Sequence, residues 1–110
     1  MKDNLIYLRH TLEAIDKISE YLKDFDLEKF SANDMVFDAV VRELEIIGEA
    51  ANKISGEFQE AHQEIPWRQM TGIRNTLIHE YFNIDQKIIW DTCQKDLPEL
   101  KEKIEKLLSE

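Results

Sequence analysis

The sequence predicts an all-α fold, a single up-down bundle of four to five helices. Three observations lead there. Apolar residues recur at spacings of three and four along most of the chain. Breakers are scarce, with Gly 3 and Pro 2, and helix-compatible Leu, Ile, Glu and Lys are abundant. No segment alternates with the period of two that a strand requires.

Leu5, Leu8, Leu12, Ile15, Ile18 and Leu22 predict one amphipathic helix over about 3–23. A polar loop over 24–29 follows. Ser31, with Asp34 three residues on, reads as the N-cap of a second helix that runs to about Ser55 and stops at Gly56. Val36, Val40, Leu44, Ile47, Ala51 and Ile54 form its core stripe at about 100° per residue. Asp38, Arg42, Glu45 and Glu49 gather opposite, where Arg42 and the two glutamates read as a solvated or interhelical ion network, or else as support for a cleft from the neighbouring helix. Glu43 projects from the apolar arc, either as a partly exposed edge or as a carboxylate buried at a dimer seam or against an arginine. After a polar connector, Pro66 suits a first helical turn, where its missing N–H costs nothing. Trp67, Met70, Ile73 and Leu77 carry that helix to about Tyr81. Gly72, inside it, is expected to admit a neighbouring backbone. Asp85 caps a helix holding Ile88, Ile89, Trp90 and Cys93. Asp96 and Glu99 then mark a fresh N-terminus for a last helix bearing Leu100, Ile104 and Leu107.

The whole chain, 110 residues, fits one domain (1–110), with a core that dimerisation would help to complete. A net charge of -9 excludes non-specific nucleic-acid binding, because neutralising phosphates needs Lys and Arg. Any such role must be local. The single cysteine, Cys93, permits neither an intrachain disulfide nor a cysteine-based zinc site and fits a cytoplasmic protein. No signal peptide or membrane-spanning run is expected.

The segment Arg74-Asn75-Thr76-Leu77-Ile78-His79-Glu80-Tyr81-Phe82 concentrates a cation, an imidazole and a phenol. It overlaps the longest stretch without Asp or Glu, residues 65–79, which also carries Arg68. Such a basic island suits an anionic ligand. On a helical wheel with Arg74 at zero, Asn75 falls near 100°, His79 near 140° and Tyr81 about 20° before it. The four share one broad face. These groups suit RNA cleavage without a metal. A histidine takes the ribose 2′-hydroxyl proton or protonates the leaving oxygen. A guanidinium holds the scissile phosphate, and Asn75 orients substrate or imidazole. Arg-x4-His alone is a weak signal, and a structural histidine and a salt-bridged arginine satisfy it equally.

The surrounding blocks are more specific. Ile65-Pro66-Trp67-Arg68, Gly72-Ile73-Arg74-Asn75 and His79-Glu80-Tyr81-Phe82, with Arg42-Glu43-Leu44-Glu45-Ile46-Ile47-Gly48-Glu49-Ala50 upstream and Trp90 and Asp96-Leu97-Pro98-Glu99-Leu100 downstream, resemble the HepT-like branch of the HEPN superfamily. The resemblance covers nearly the whole chain. It implies the toxin of a prokaryotic type VII toxin–antitoxin pair, a homodimeric, metal-independent endoribonuclease needing no cofactor. Arg74 and His79 would be the catalytic pair and Asn75 a supporting residue. The implied partner is a minimal nucleotidyltransferase (MntA-like) antitoxin that transfers AMP from ATP onto Tyr81. The adduct adds a phosphodiester anion and a bulky adenosine beside Arg74. The alternatives are a non-catalytic module that binds nucleotide, RNA or antitoxin, and a purely structural helical dimer.

Among other residues, Trp67 and Trp90 read as core or dimer anchors rather than base-stacking platforms, and Cys93 as a small core residue. His10 and His62 read as surface residues, with no metal-ligand spacing to His79.

Overall fold

A computed structural model describes the backbone of residues 2–80 and 85–110 and the side chains of 3–77 and 85–110. The described residues form an all-α bundle. Helix α1 spans Lys2–Tyr21. It buries Leu8, Ile15 and Ile18, with Leu22 just beyond, while Leu5 in the first turn is exposed. The chain reverses at Asp24, whose φ of 66° lies in the left-handed region that Asp tolerates better than most residues.

The expected loop over 24–29 is partly helical. Helix α2, Leu27–Ser31, starts where the Asp26 carboxylate accepts the Lys29 N–H at 2.8 Å. Its five residues are too few to show a period, but they sink Phe30 to 0% exposure, where its ring meets Phe37 and Trp90. Ser31 therefore ends α2. Asn33 caps α3, Asp34–Lys53, by accepting the Val36 N–H at 3.0 Å.

Gly56 begins a helix rather than ending one. Ile54 turns extended, and Ser55 caps α4, Gly56–Ala61, through its Oγ to the Phe58 N–H. Asn4 locks this corner to the start of α1. Its Oδ1 accepts the Ser55 N–H at 3.0 Å and its Nδ2 donates to Ser55 Oγ at 3.2 Å. After Pro66, α5 spans Trp67–Glu80. Asp85 caps α6, Gln86–Asp91, as expected.

The expected break at Asp96 does not occur. The chain widens into a π turn, Thr92–Asp96, and continues as α7, Leu97–Leu108. The Leu97 N–H reaches back five residues to the Thr92 carbonyl, and Asp96 makes no side-chain cap. A wider turn makes room for the Pro98 ring, which would press on the carbonyl four residues back in an α-helix.

Helix α3 is central, with α1 and α5 on its flanks; α7 packs on α1, and α2 lies under α3 and α6. Val40, Leu44, Ile47 and Ala51 are each 0% exposed at this centre. The close backbone approach predicted for Gly72 falls at Gly48 instead. A Cβ at Gly48 would collide with the Arg74 Cβ and come within 3.0 Å of the Met70 carbonyl oxygen, whereas one at Gly72 meets nothing within 4 Å. Between α5 and the α6–α7 limb lies an apolar cleft of about 460 Å³ over Leu44 and Ile47, walled by Ile73, Leu77, Ile89 and Leu100. Glu43 is buried, so it is not an edge position. Among the described residues no ion pair reaches it.

Candidate active site

Helix α5 carries Arg74 and Asn75 on two flanks. One turns toward α3. There the contact at Gly48 brings Arg74 against the neighbouring helix, half-buried. Its Nε is buried with no hydrogen-bond partner among the described residues. Burying a polar N–H without a partner costs free energy comparable to a lost hydrogen bond, so this guanidinium is held at a stability penalty. Three lysines, by contrast, do pair. Lys87 pairs with Asp91, Lys101 with Asp16 and Lys103 with Glu99. Arg68 and Arg74, the two cations of the acid-free segment, form no ion pair among the described residues.

The other flank opens onto a groove of about 910 Å³, with no carboxylate among its described lining residues, which include Gln63, Arg68, Gln69, Thr71, Gly72 and Asn75. Asn75 is exposed there. Arg74 does not line this groove. Within one chain, then, Arg74 and Asn75 face different neighbours, so the one broad face expected for them is divided between two flanks. His79 is carried by the last turn of α5, one turn beyond Asn75. The side chain of His79 and all of Tyr81 lie outside the described residues.

The sequence reading missed Gly48 and the groove glutamines. A usable signal for the groove was present: Arg68, Gly72 and Asn75 recur at spacings of four and three within the acid-free stretch. Gly48 gave no such signal, since its role depends on where α5 lands.

Both tryptophans serve the core. Trp67 is 8% exposed, and its indole N–H donates to the His62 carbonyl at 2.9 Å. Trp90 is half-buried on Phe30. His10 is exposed, while His62 is half-buried with its ring 4.4 Å from Phe58 and Nδ1 3.6 Å from Glu64. Among the described residues no three His, Cys, Asp or Glu gather as a metal site. Arg42 is exposed, in keeping with a solvated position, and forms no ion pair with Glu45 or Glu49 among the described residues. Cys93 is buried, and burial, seconded by the Asp96 charge, pushes its thiol up to about 12. No described helix is long and apolar enough to cross a membrane.

Comparison with known proteins bears on this arrangement. The family model described as Ribonuclease HepT-like matches residues 11–107. A protein of Thermococcus cleftensis named "Probable ribonuclease HepT" is 45% identical over 92% of this chain and 92% of its own length. A candidate RNase of Caldanaerobacter subterraneus subsp. tengcongensis is 40% identical over 98% of this chain and 96% of its own. A Methanocaldococcus jannaschii protein, named as both a gamma-glutamylcyclotransferase and a candidate RNase, is 43% identical over 99% of this chain, which spans only 49% of that relative. No solved structure matches the chain significantly. With an all-α bundle in place and a family match that runs from the first helix through the last, the chain belongs to the HepT-like ribonuclease family.

Proposed function

We propose that this chain is a metal-independent endoribonuclease, the toxin of a type VII toxin–antitoxin pair, acting as a homodimer in the cytoplasm. The observation that carries the reading is Arg74. In a chain with Asp+Glu 23 against Lys+Arg 14, this guanidinium pairs with no carboxylate among the described residues, and its Nε is buried without a partner among them. A cation held so is preorganised for an external anion. Membership of the ribonuclease family supports a scissile RNA phosphate as that anion.

In the proposed step the ribose 2′-oxygen attacks phosphorus and the P–O5′ bond breaks, leaving a 2′,3′-cyclic phosphate and a 5′-hydroxyl. His79 takes the proton from the 2′-hydroxyl or delivers one to the departing 5′-oxygen. Arg74 stabilises charge on the non-bridging oxygens. Asn75, exposed one turn from His79, orients the substrate. A dimer brings two such helices to a shared cleft and doubles the basic island on an acidic protein.

Control comes from Tyr81. Its phenol oxygen attacks the α-phosphorus of ATP on a minimal nucleotidyltransferase, pyrophosphate leaves, and the AMP anion occupies Arg74. The test has two parts. Arg74→Ala and His79→Ala each abolish cleavage of RNA in EDTA while far-UV circular dichroism is unchanged; wild-type turnover in both ends the reading. Tyr81→Phe cleaves RNA yet resists the antitoxin, and intact mass shows AMP on wild type alone. AMP on Tyr81→Phe protein overturns the tyrosine assignment.

A further inference from the structure

Gly72 sits in the middle of α5, where glycine weakens a helix. Packing does not require it, because an added Cβ meets nothing within 4 Å. What its missing side chain does is leave bare backbone at the floor of the 910 Å³ groove. Arg68 and Gln69 stand one turn before it and Asn75 one turn after, so the three ring the bare patch. Gln63 joins them from the segment that precedes α5.

The chemistry of that ring is specific. Among the described residues no carboxylate lines the groove, in a chain of net charge -9. Arg68, the one cation among its described lining residues, is exposed and forms no ion pair among the described residues. The Gln59 amide is already spent, its Nε2 donating to the Ala51 and Ile54 carbonyls at 3.1 and 3.2 Å. Gln69 and Asn75 are exposed, with no hydrogen bond to another described residue. A primary amide presents a donor and an acceptor side by side, the pattern that matches a nucleobase edge. A flat base needs a surface without a protruding side chain, and single-stranded RNA offers unstacked bases. One arginine supplies one phosphate contact, too little charge to track a duplex.

We propose that this groove is a nucleobase subsite for single-stranded RNA, with an unstacked base lying over Gly72, its edge read by Gln69 and Asn75, and a flanking phosphate held by Arg68. The proposal rests on the ribonuclease reading and extends it to substrate choice. The groove includes Asn75 but not Arg74, so the base it reads is distinct from the phosphate assigned to Arg74.

The test uses full-length protein carrying His79→Ala, which binds without turnover. Fluorescence anisotropy is measured with labelled eight-residue oligomers of A, C and U, and with a ribose-phosphate oligomer of the same length lacking bases. The parent binds one base-bearing oligomer at least fivefold more tightly than the baseless one. Gln69→Ala and Asn75→Ala each lower that preference by about half or more. Gly72→Leu erases it by filling the floor, and Gly72→Ala weakens it while melting no lower than the parent. Arg68→Ala weakens every oligomer alike and lowers the salt dependence by about one unit of slope. If wild type cleaves RNA but these variants keep the parent's preferences, the subsite is refuted and the ribonuclease reading stands. If wild type neither cleaves nor binds any oligomer, the ribonuclease reading itself falls, and the subsite with it.

Discussion

Replacing Gly48 by alanine tests the packing that seats Arg74. In an ordinary exposed helical position the change stabilises by about 1 kcal/mol. Here the new methyl collides with the Arg74 Cβ and stands 3.0 Å from the Met70 carbonyl oxygen and 3.2 Å from the Arg74 Cα. Two of these are main-chain atoms and the third is fixed to one, so no side-chain rotation relieves the crowding. Helix α5 must move off α3. Overpacking of this kind costs about 1–3 kcal/mol, and the rigid contacts put this case toward the upper end. After the propensity gain the net loss is about 1–2 kcal/mol. For a domain of this size that is roughly 5–15 °C in melting temperature. The matched control is Gly72→Ala, where no neighbour lies within 4 Å; it raises stability by about 0.5–1 kcal/mol. Urea denaturation of both variants, followed by far-UV circular dichroism, reads the difference. RNA cleavage should fall in Gly48→Ala, because α5 carries Arg74 and His79. A Gly48→Ala protein as stable as Gly72→Ala would refute the close α3–α5 contact and the seating of Arg74 built on it.

Three further outcomes follow from particular contacts. Asn4→Ala strips the Ser55 N–H of its acceptor at a site where Asn4 is 3% exposed, and urea midpoints should show a loss of about 1–3 kcal/mol; an unchanged midpoint would mean this clamp contributes nothing. Arg74→Met keeps the packing stem and removes the orphaned Nε, so it should melt no lower than wild type while RNA cleavage is lost; a large drop in melting temperature would show that the guanidinium has a structural partner. The Cys93 thiol is raised from an ordinary 9.0 to about 12. A folded state that binds the proton more tightly has its full thiol contribution below pH 9 and loses it as pH rises from about 9 to 12. Cys93→Ala should flatten that part of the stability–pH profile, and native Cys93 should resist a thiol reagent at pH 8 that labels the urea-unfolded chain at once; equal labelling of both would place the thiol at the surface.

The relation between sequence and structure divides by range. Helices long enough to repeat an apolar stripe were legible: Leu8, Ile15 and Ile18 on α1 and Val40, Leu44, Ile47 and Ala51 on α3 are buried as their spacing demands. Short-range capping was legible only where one reading dominated. Asp85 caps as expected, but Ser31 lost its role to Asn33 because α2 is too short to announce itself. Asp96 has the composition of a cap, yet a π turn lets the helix pass through it. A local rule weighs one residue's preference, and continuity of α6 with α7 is worth more than that preference.

What the chain's own order of residues determined is the all-α class, the apolar stripes, and an acid-free segment carrying Arg68, Arg74, Asn75 and His79. Those are properties of neighbours along a helix, and helical geometry alone converts them into faces. Only tertiary structure decided which glycine lets α3 and α5 touch, that Glu43 is buried, and that Arg74 and Asn75 open onto different flanks. Each depends on where a second helix lands. That landing follows from the burial of several stripes at once, not from any residue's local preference.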